Sequence, residues 1–252
     1  MMNLVMKEVV DVVALVFKVI FFFGLLFSLT GCGLVDNIKY EIGEKDLVED
    51  LNSISNNLVP SSIKIEVSLV AEGKPNVKNI SQGSGFIVSS NNYNYKAISN
   101  AHVFTGEGLV VKSIKIFDYK GKEYTGKIEK IDEYNDIALI YFTGTNEYIL
   151  PEVDIATELP KEGEVVYAIG CPNGQFNSVT VGRCLGFSKD IEGLLFDFEV
   201  IITDAPIDHG SSGGMLLNDD LEVIGINTLG LLQGDEQISG SIPFIVISLI
   251  MQ

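Results

Sequence analysis

Residues 62–70 read SIKIEVSLV, with Ile63, Ile65, Val67 and Leu69 on one side and Lys64, Glu66 and Ser68 on the other. A period of two marks a half-buried strand, because successive side chains of an extended backbone leave on opposite faces. Outward from this run, strand-like stretches recur at 85–89, 95–99, 110–117, 124–131 and 137–142. Beyond a loop around Pro151 to Pro160 come further ones at 164–170, 178–187, 194–203, 214–217, 221–227 and 238–243. About a dozen short strands punctuated by Gly, Asn and Asp predict an all-β sandwich or barrel pair rather than alternating βα units. The interruption near 143–162 divides them into two groups and favours two packed barrels. Upstream, Leu47, Leu51, Ile54 and Leu58 recur at helical spacing and predict a short amphipathic helix over 44–58, stopped by Pro60. Residues 244–250 predict a terminal helix or the end of a strand.

Composition narrows the function classes. The chain has 252 residues, 46% of them hydrophobic, and a formal net charge of -17, enough for one substantial domain with an appendage. Apolar content this high excludes a disordered polymer, and three Cys are too few for a disulfide knot. The acidic balance argues against a nucleic-acid partner, which needs clustered Lys and Arg. It favours solubility and disfavours acidic substrates. Two His and scattered Cys offer no tetrahedral metal set, so neither a metal nor a cofactor is expected.

Residues 1–31 read as an address. Val12 to Leu29 is almost continuously apolar, its densest part, VIFFFGLLFSL, follows Lys7 and Lys18, and it runs into Leu29-Thr30-Gly31-Cys32. That pattern resembles the bacterial lipobox, which implies cleavage before Cys32 and a diacylglycerol on its thiol; a transmembrane anchor with an incidental Cys is the alternative. Either way the rest of the chain is expected outside the cytoplasm, tethered to a membrane. Residues 32–43 read as a linker and 44–252 as the domain.

Three short segments carry chemistry. His102 lies in Ser99-Asn100-Ala101-His102-Val103 after a strand, Asp136 opens the apolar run Asn135-Asp136-Ile137-Ala138-Leu139, and Ser212 sits in Gly210-Ser211-Ser212-Gly213-Gly214. Acyl transfer by a serine needs a base for the hydroxyl proton, a carboxylate to fix the base's tautomer, and N–H donors for the oxyanion. His102, Asp136 and Ser212 supply the side chains. The turn Gly210–Ser212, Ser211 included, supplies candidate oxyanion donors, with Gly210 and Ser212 aimed inward. Singly, each segment equally suits a core histidine, a turn aspartate or a flexible loop.

Taken in order, the segments resemble a trypsin-fold serine protease of the HtrA/Deg branch, over roughly residues 44–250. Gly83-Ser84-Gly85-Phe86-Ile87 resembles that branch's GSGF strand, Ser99 to Val103 its TNxHV segment and Asn135 to Leu139 its DIAL strand. Residues 168–174 with 178–182 resemble the AIGNPxG…SVTxG hairpin, DAPIDHGSSGGML (204–216) the nucleophile loop, VIGINT (223–228) a following strand and Ser241 to Phe244 a FAIP-like segment. The resemblance implies two six-stranded Greek-key β-barrels and a serine endopeptidase acting on unfolded or damaged extracytoplasmic proteins. It implies that Pro206, Ile207, Asn227 and Thr228 shape the pocket for the residue before the cut bond. With no carboxylate from Pro206 or Ile207, cleavage after small or medium aliphatic residues is expected, the substrate adding as a strand along the 226–229 edge.

Departures accompany the likeness. Ser211 replaces Asn, Met215 replaces Pro or Ala, and His209, read as a solvent-exposed turn residue, stands three before the nucleophile. Ser211 also offers no carboxylate to a newly cut N-terminal ammonium, so activation by that route is not expected. Only 40 residues follow Ser212, which leaves no room for the PDZ domain such proteins usually carry; self-association through the protease domain is left open. Cys171 and Cys184 flank a predicted hairpin, where either a disulfide or two free, partly buried thiols would fit. The alternative to the enzyme is a pseudoprotease lipoprotein that binds peptides without cutting them, and a lipid-anchored adhesin is a third reading.

Overall fold

The computed structural model describes residues 44–191, 194–233 and 236–251. Val48–Gln252 forms one compact unit; of the other, Met1–Leu47, only the start of a helix is described. The predicted leader, Cys32 and the linker lie outside the described residues.

Helix α1 (Glu44–Ser53) is shorter than its periodicity predicts. It relaxes into a π-turn (Ile54–Leu58) closed by the Val59 N–H on the Ile54 carbonyl, then into a 3-10 turn (Val59–Ser61). Pro60 thus opens a new turn rather than merely ending the helix; the first residues of a helical turn need no N–H. The Tyr167 hydroxyl donates to the Asp50 carboxylate at 2.6 Å and ties α1 down.

Twelve strands follow. β1 (Ser62–Ala71), β2 (Lys74–Asn91), β3 (Asn94–Ser99), β4 (Leu109–Phe117), β5 (Glu123–Asp132) and β6 (Ile137–Thr143) close the first barrel. β7 (Val165–Gly170), β8 (Ser178–Ile191), β9 (Leu194–Thr203), β10 (Met215–Leu217), β11 (Val223–Gln233) and β12 (Glu236–Pro243) close the second, and α2 (Phe244–Ile250) follows. The first barrel runs β1-β2-β3-β6-β5-β4 and the second β7-β8-β9-β12-β11-β10. Every ladder is antiparallel, and the two barrels share one topology in which the third strand bonds to the sixth. The all-β, two-barrel expectation holds.

The opening alternation does its predicted job. Ile63, Ile65 and Val67 are fully buried, and with Leu69, Ile87, Ile116 and Ile140 they fill the first core. Val166, Ala168, Ile201, Leu216 and Ile224 fill the second. β2 differs, beginning at Lys74 instead of 85. Its polar first half has no apolar period, yet β1 pairs with it in continuous register from Lys78 onward, Ser68 opposite Ile80 and Glu66 opposite Gln82, with a shift before that between Val70 and Ala71. A ladder supplied by a neighbour overrides local preference. The segment between the barrels is a tie rather than a loose loop. The Val153 N–H donates to Ile87 of the first barrel, and Ala156 and Asp154 exchange bonds with Val223 of the second.

One wholly buried carboxylate, Asp118, braces the first barrel. It accepts from the hydroxyls of Tyr124 and Tyr148, at 2.8 and 2.5 Å, and from the N–H groups of Lys120 and Lys122. Four donors replace the water that burial removed. Desolvation and the bond to Asp118 push the Tyr148 hydroxyl up to about 12.

Candidate active site

His102 is carried on a single 3-10 turn, Ala101–Val103, directly after β3. Ala101 and Val103 are buried on either side of it, which turns the imidazole outward. Asp136 ends the turn before β6, and the Asp132 carboxylate shapes that turn by accepting from the Asn135 N–H and amide at 3.1 and 2.7 Å. Asp136 sits at φ +55, a left-handed conformation that costs a non-glycine residue energy and marks an imposed position. Its Oδ1 accepts the His102 backbone N–H at 2.8 Å and its Oδ2 meets His102 Nδ1 at 2.8 Å. An ionised carboxylate only accepts, so Nδ1 carries a proton and Nε2 of the neutral ring is left as a base.

The nucleophile turn is set by glycine. Gly210 has φ +94 and Gly213 φ +89, where a Cβ is strained. Ser84, fully buried on β2, holds this turn from the opposite barrel: its hydroxyl donates to the Gly210 carbonyl at 2.6 Å and accepts the Cys171 N–H at 2.8 Å. The Ser84 N–H donates to the Ser212 carbonyl at 2.7 Å. Among the described residues the Gly210 and Ser212 N–H groups meet no protein acceptor. The Ser211 N–H donates to the Asp208 carbonyl at 2.9 Å, so Ser211 drops out of the predicted oxyanion set. Ser212, Gly210, His102, His209, Asn173, Gln82 and Ile80 line one cleft of about 530 Å³. The Ser212 hydroxyl is directed to the Thr228 carbonyl at 3.4 Å.

The predicted pocket residues divide. Pro206, Ile207 and Asn227 line a second cavity of about 300 Å³ with Ser211, Asp208 and Gln237, whereas Thr228 is not among its walls. The segment before the nucleophile is pinned through three consecutive carbonyls: Ala205, Pro206 and Ile207 accept from Ser239, Thr180 and Gln237 at 2.6, 2.8 and 2.5 Å. The Asn227 amide is committed to the carbonyls of Ile169 and Met215 and holds strands together. The strand edge also shifts. Met215 covers Ile226, and Asn227 exchanges bonds with Gly213 and Gly214, so the edge open to a peptide begins at Thr228 rather than at Ile226.

Asp208, Asn100 and Ser84 had no role in the sequence reading. The Asp208 carboxylate accepts from the His209 N–H and the Asn173 amide, which hold it below the usual carboxylate range. Each stands inside one of the quoted motifs, but the partners that give it a role (Asn173 for Asp208, Thr228 for Asn100, Gly210 for Ser84) are remote in sequence.

Of the two arrangements left open for Cys171 and Cys184, the structure has the free thiols, both buried. In the β7–β8 hairpin Gly170 faces Ser178 and Val165 faces Arg183, which puts Cys171 at the turn and Cys184 at the open end. Some six strand residues separate them along the hairpin, about 20 Å at ~3.3 Å each. A bridge needs Cα atoms within roughly 7 Å. Burial pushes both thiols up, which keeps them protonated at neutral pH.

Paired antiparallel barrels with a His–Asp couple and a glycine-framed serine on one cleft delimit the class. Residues 83–226 match the trypsin-like peptidase domain, and the chain belongs to that family. Within it the likeness is to HtrA serine proteases. The chain is 38% identical over 167 residues to serine protease HTRA1A of Danio rerio, covering 65% of this chain and 33% of the relative. It is 34% identical over 189 residues to serine protease HTRA1 of Xenopus laevis, covering 74% and 39%. To serine protease HTRA4 of Mus musculus it is 37% identical over 172 residues, covering 65% and 32%. The chain therefore spans about a third of the length of the curated relatives it matches.

Proposed function

We propose that the protein is a serine endopeptidase in which Ser212 is the nucleophile, His102 the general base and Asp136 the group that orients His102. The observation that carries this reading is the His102 Nδ1 to Asp136 Oδ2 bond of 2.8 Å on the rim of the cleft that also holds Ser212. A side-chain rotation takes the Ser212 hydroxyl from the Thr228 carbonyl toward Nε2. Oγ then attacks the peptide carbonyl as its proton passes to Nε2, and the oxyanion is held by the N–H groups of Gly210 and Ser212. The C–N bond breaks, His102 returns the proton to the leaving amine, and water hydrolyses the acyl-enzyme by the same relay. Pro206 and Ile207 bring no charge, and the one carboxylate on that cavity wall, Asp208, is already committed to the His209 N–H and the Asn173 amide, so small aliphatic residues precede the cut bond.

A fluorophosphonate probe tests the assignment, since it reacts only with an activated serine. Labelling of wild type and none of Ser212→Ala, together with turnover of peptides carrying Ala or Val before the cut bond, is the expected result. The bond from Ser212 to Thr228 favours a second reading, a peptide-binding pseudoprotease with its nucleophile parked. Folded wild type that takes up no probe selects that reading.

We further propose that the mature chain starts at Cys32 and is lipid-anchored on the extracytoplasmic face of a bacterial membrane, where unfolded or damaged proteins are its substrates. No helix among the described residues is long and apolar enough to cross a membrane. A radiolabelled fatty acid is expected to mark wild type and not Cys32→Ser, with wild type also shortened to start at residue 32; an unlabelled, full-length wild type in the membrane fraction counts against lipidation and for a spanning anchor.

A further inference from the structure

The His–Asp couple belongs to the first barrel and Ser212 to the second, so their separation depends on what joins the barrels at that point. Ser84 braces the nucleophile turn there, and a second side chain ties the Asp136 segment itself to the other barrel. Asn100 is fully buried beside His102, and its amide nitrogen donates at 3.0 Å to the Asp136 carbonyl and at 3.0 Å to Thr228 Oγ1. Thr228 in turn donates to the Ile226 carbonyl at 3.1 Å, and its own carbonyl receives the Ser212 hydroxyl. The nucleophile turn presses on the same residue: a Cβ on Gly213 would stand 3.1 Å from the Asn100 backbone nitrogen.

We infer that Asn100 is a positioning residue, one amide group whose two hydrogens set the His102–Asp136 couple against Thr228 of β11, whose carbonyl receives the Ser212 hydroxyl. This rests on the peptidase reading above. Asp136 needs an anchor, because φ +55 is disfavoured for an aspartate and any relaxation swings the carboxylate that orients His102. The amide nitrogen supplies that anchor at the Asp136 carbonyl. Its second hydrogen supplies the link across to Thr228, and a residue with a single donor could make only one of the two bonds. The other end of the amide argues the same way. Among the described residues Asn100 Oδ1 is buried without a hydrogen-bond partner, a desolvation cost that an apolar side chain of the same size would not carry. The two donated bonds are what offset it.

The expected signature is a loss in turnover, not in binding, because Asn100 lines neither the substrate cleft nor the second cavity. Asn100→Ala is expected to lower kcat and the rate of fluorophosphonate labelling about 100-fold with KM little changed, the scale set by small misplacements of reacting groups. Thr228→Val keeps the shape and the strand carbonyl but removes the acceptor, and is expected to lower kcat about tenfold through the same link. The double variant is expected to be no slower than Asn100→Ala alone, since both cut one connection. Thermal unfolding verifies that each variant is folded, and if Asn100→Ala does not fold, Thr228→Val alone decides. Wild-type kcat in a folded variant, a loss confined to KM, or losses that multiply in the double variant would each overturn the positioning role. Wild type that fails to react with the probe instead removes the peptidase reading, a result separable from these.

Discussion

Asp136→Asn is expected to lower kcat about 10⁴-fold, the size of effect this exchange has in Ser-His-Asp proteases, while KM and fold are kept. The carboxylate has two acceptors in use, Oδ1 for the His102 backbone N–H and Oδ2 for Nδ1. An amide retains only one. Turning its oxygen to the backbone N–H places NH₂ against Nδ1, which must then accept, and the ring proton moves to Nε2. Nε2 can no longer take a proton from Ser212. The alternative flip sets NH₂ against the backbone N–H, donor against donor, and loosens the turn that carries His102. Steady-state kinetics beside a thermal melt checks this. A folded variant slowed less than about tenfold would mean that Asp136 does not control the tautomer.

Gly213→Ala is expected to cost about 3 kcal/mol or more of stability, placing it in the strained-backbone and overpacking tail of substitutions. Two penalties coincide. Gly213 has φ +89, and an added methyl would fall inside van der Waals distance of the Ser84 carbonyl and Ser99 Oγ. Neither neighbour can yield cheaply, because Ser99 Oγ donates to that same carbonyl at 2.7 Å and Ser84 braces the Gly210 turn. Any relaxation therefore passes into the Gly210–Ser212 turn, so on the proposed peptidase reading activity is expected to fall further than the population of folded protein. Denaturant unfolding and probe labelling of the folded fraction separate the two effects. Stability within ~1 kcal/mol of wild type would show that the turn adapts without passing strain to Ser84.

Local chemistry carried a large part of this protein in its sequence. The period of two at 62–70 defines a strand with one buried face wherever it sits, and the strands after 85 follow from short strand-like runs punctuated by glycine, asparagine and aspartate. The glycines of the Gly-Ser-Ser-Gly-Gly stretch permit left-handed dihedrals that other residues avoid, so a turn with positive φ was readable there. What no linear pattern held is the partner of each group. The ladder of β2 over 74–83, the separation of Cys171 from Cys184 along their hairpin, and the commitment of the Ser211 N–H to Asp208 depend on register and on turns closing in space. The bonds from Ser84 to Gly210 and from Asn100 to Thr228 span more than a hundred residues, 126 and 128. Periodicity reports which way a side chain faces, because that is a property of neighbouring dihedrals. Which polar group it meets depends on how two closed barrels pack, and only the folded chain resolves that.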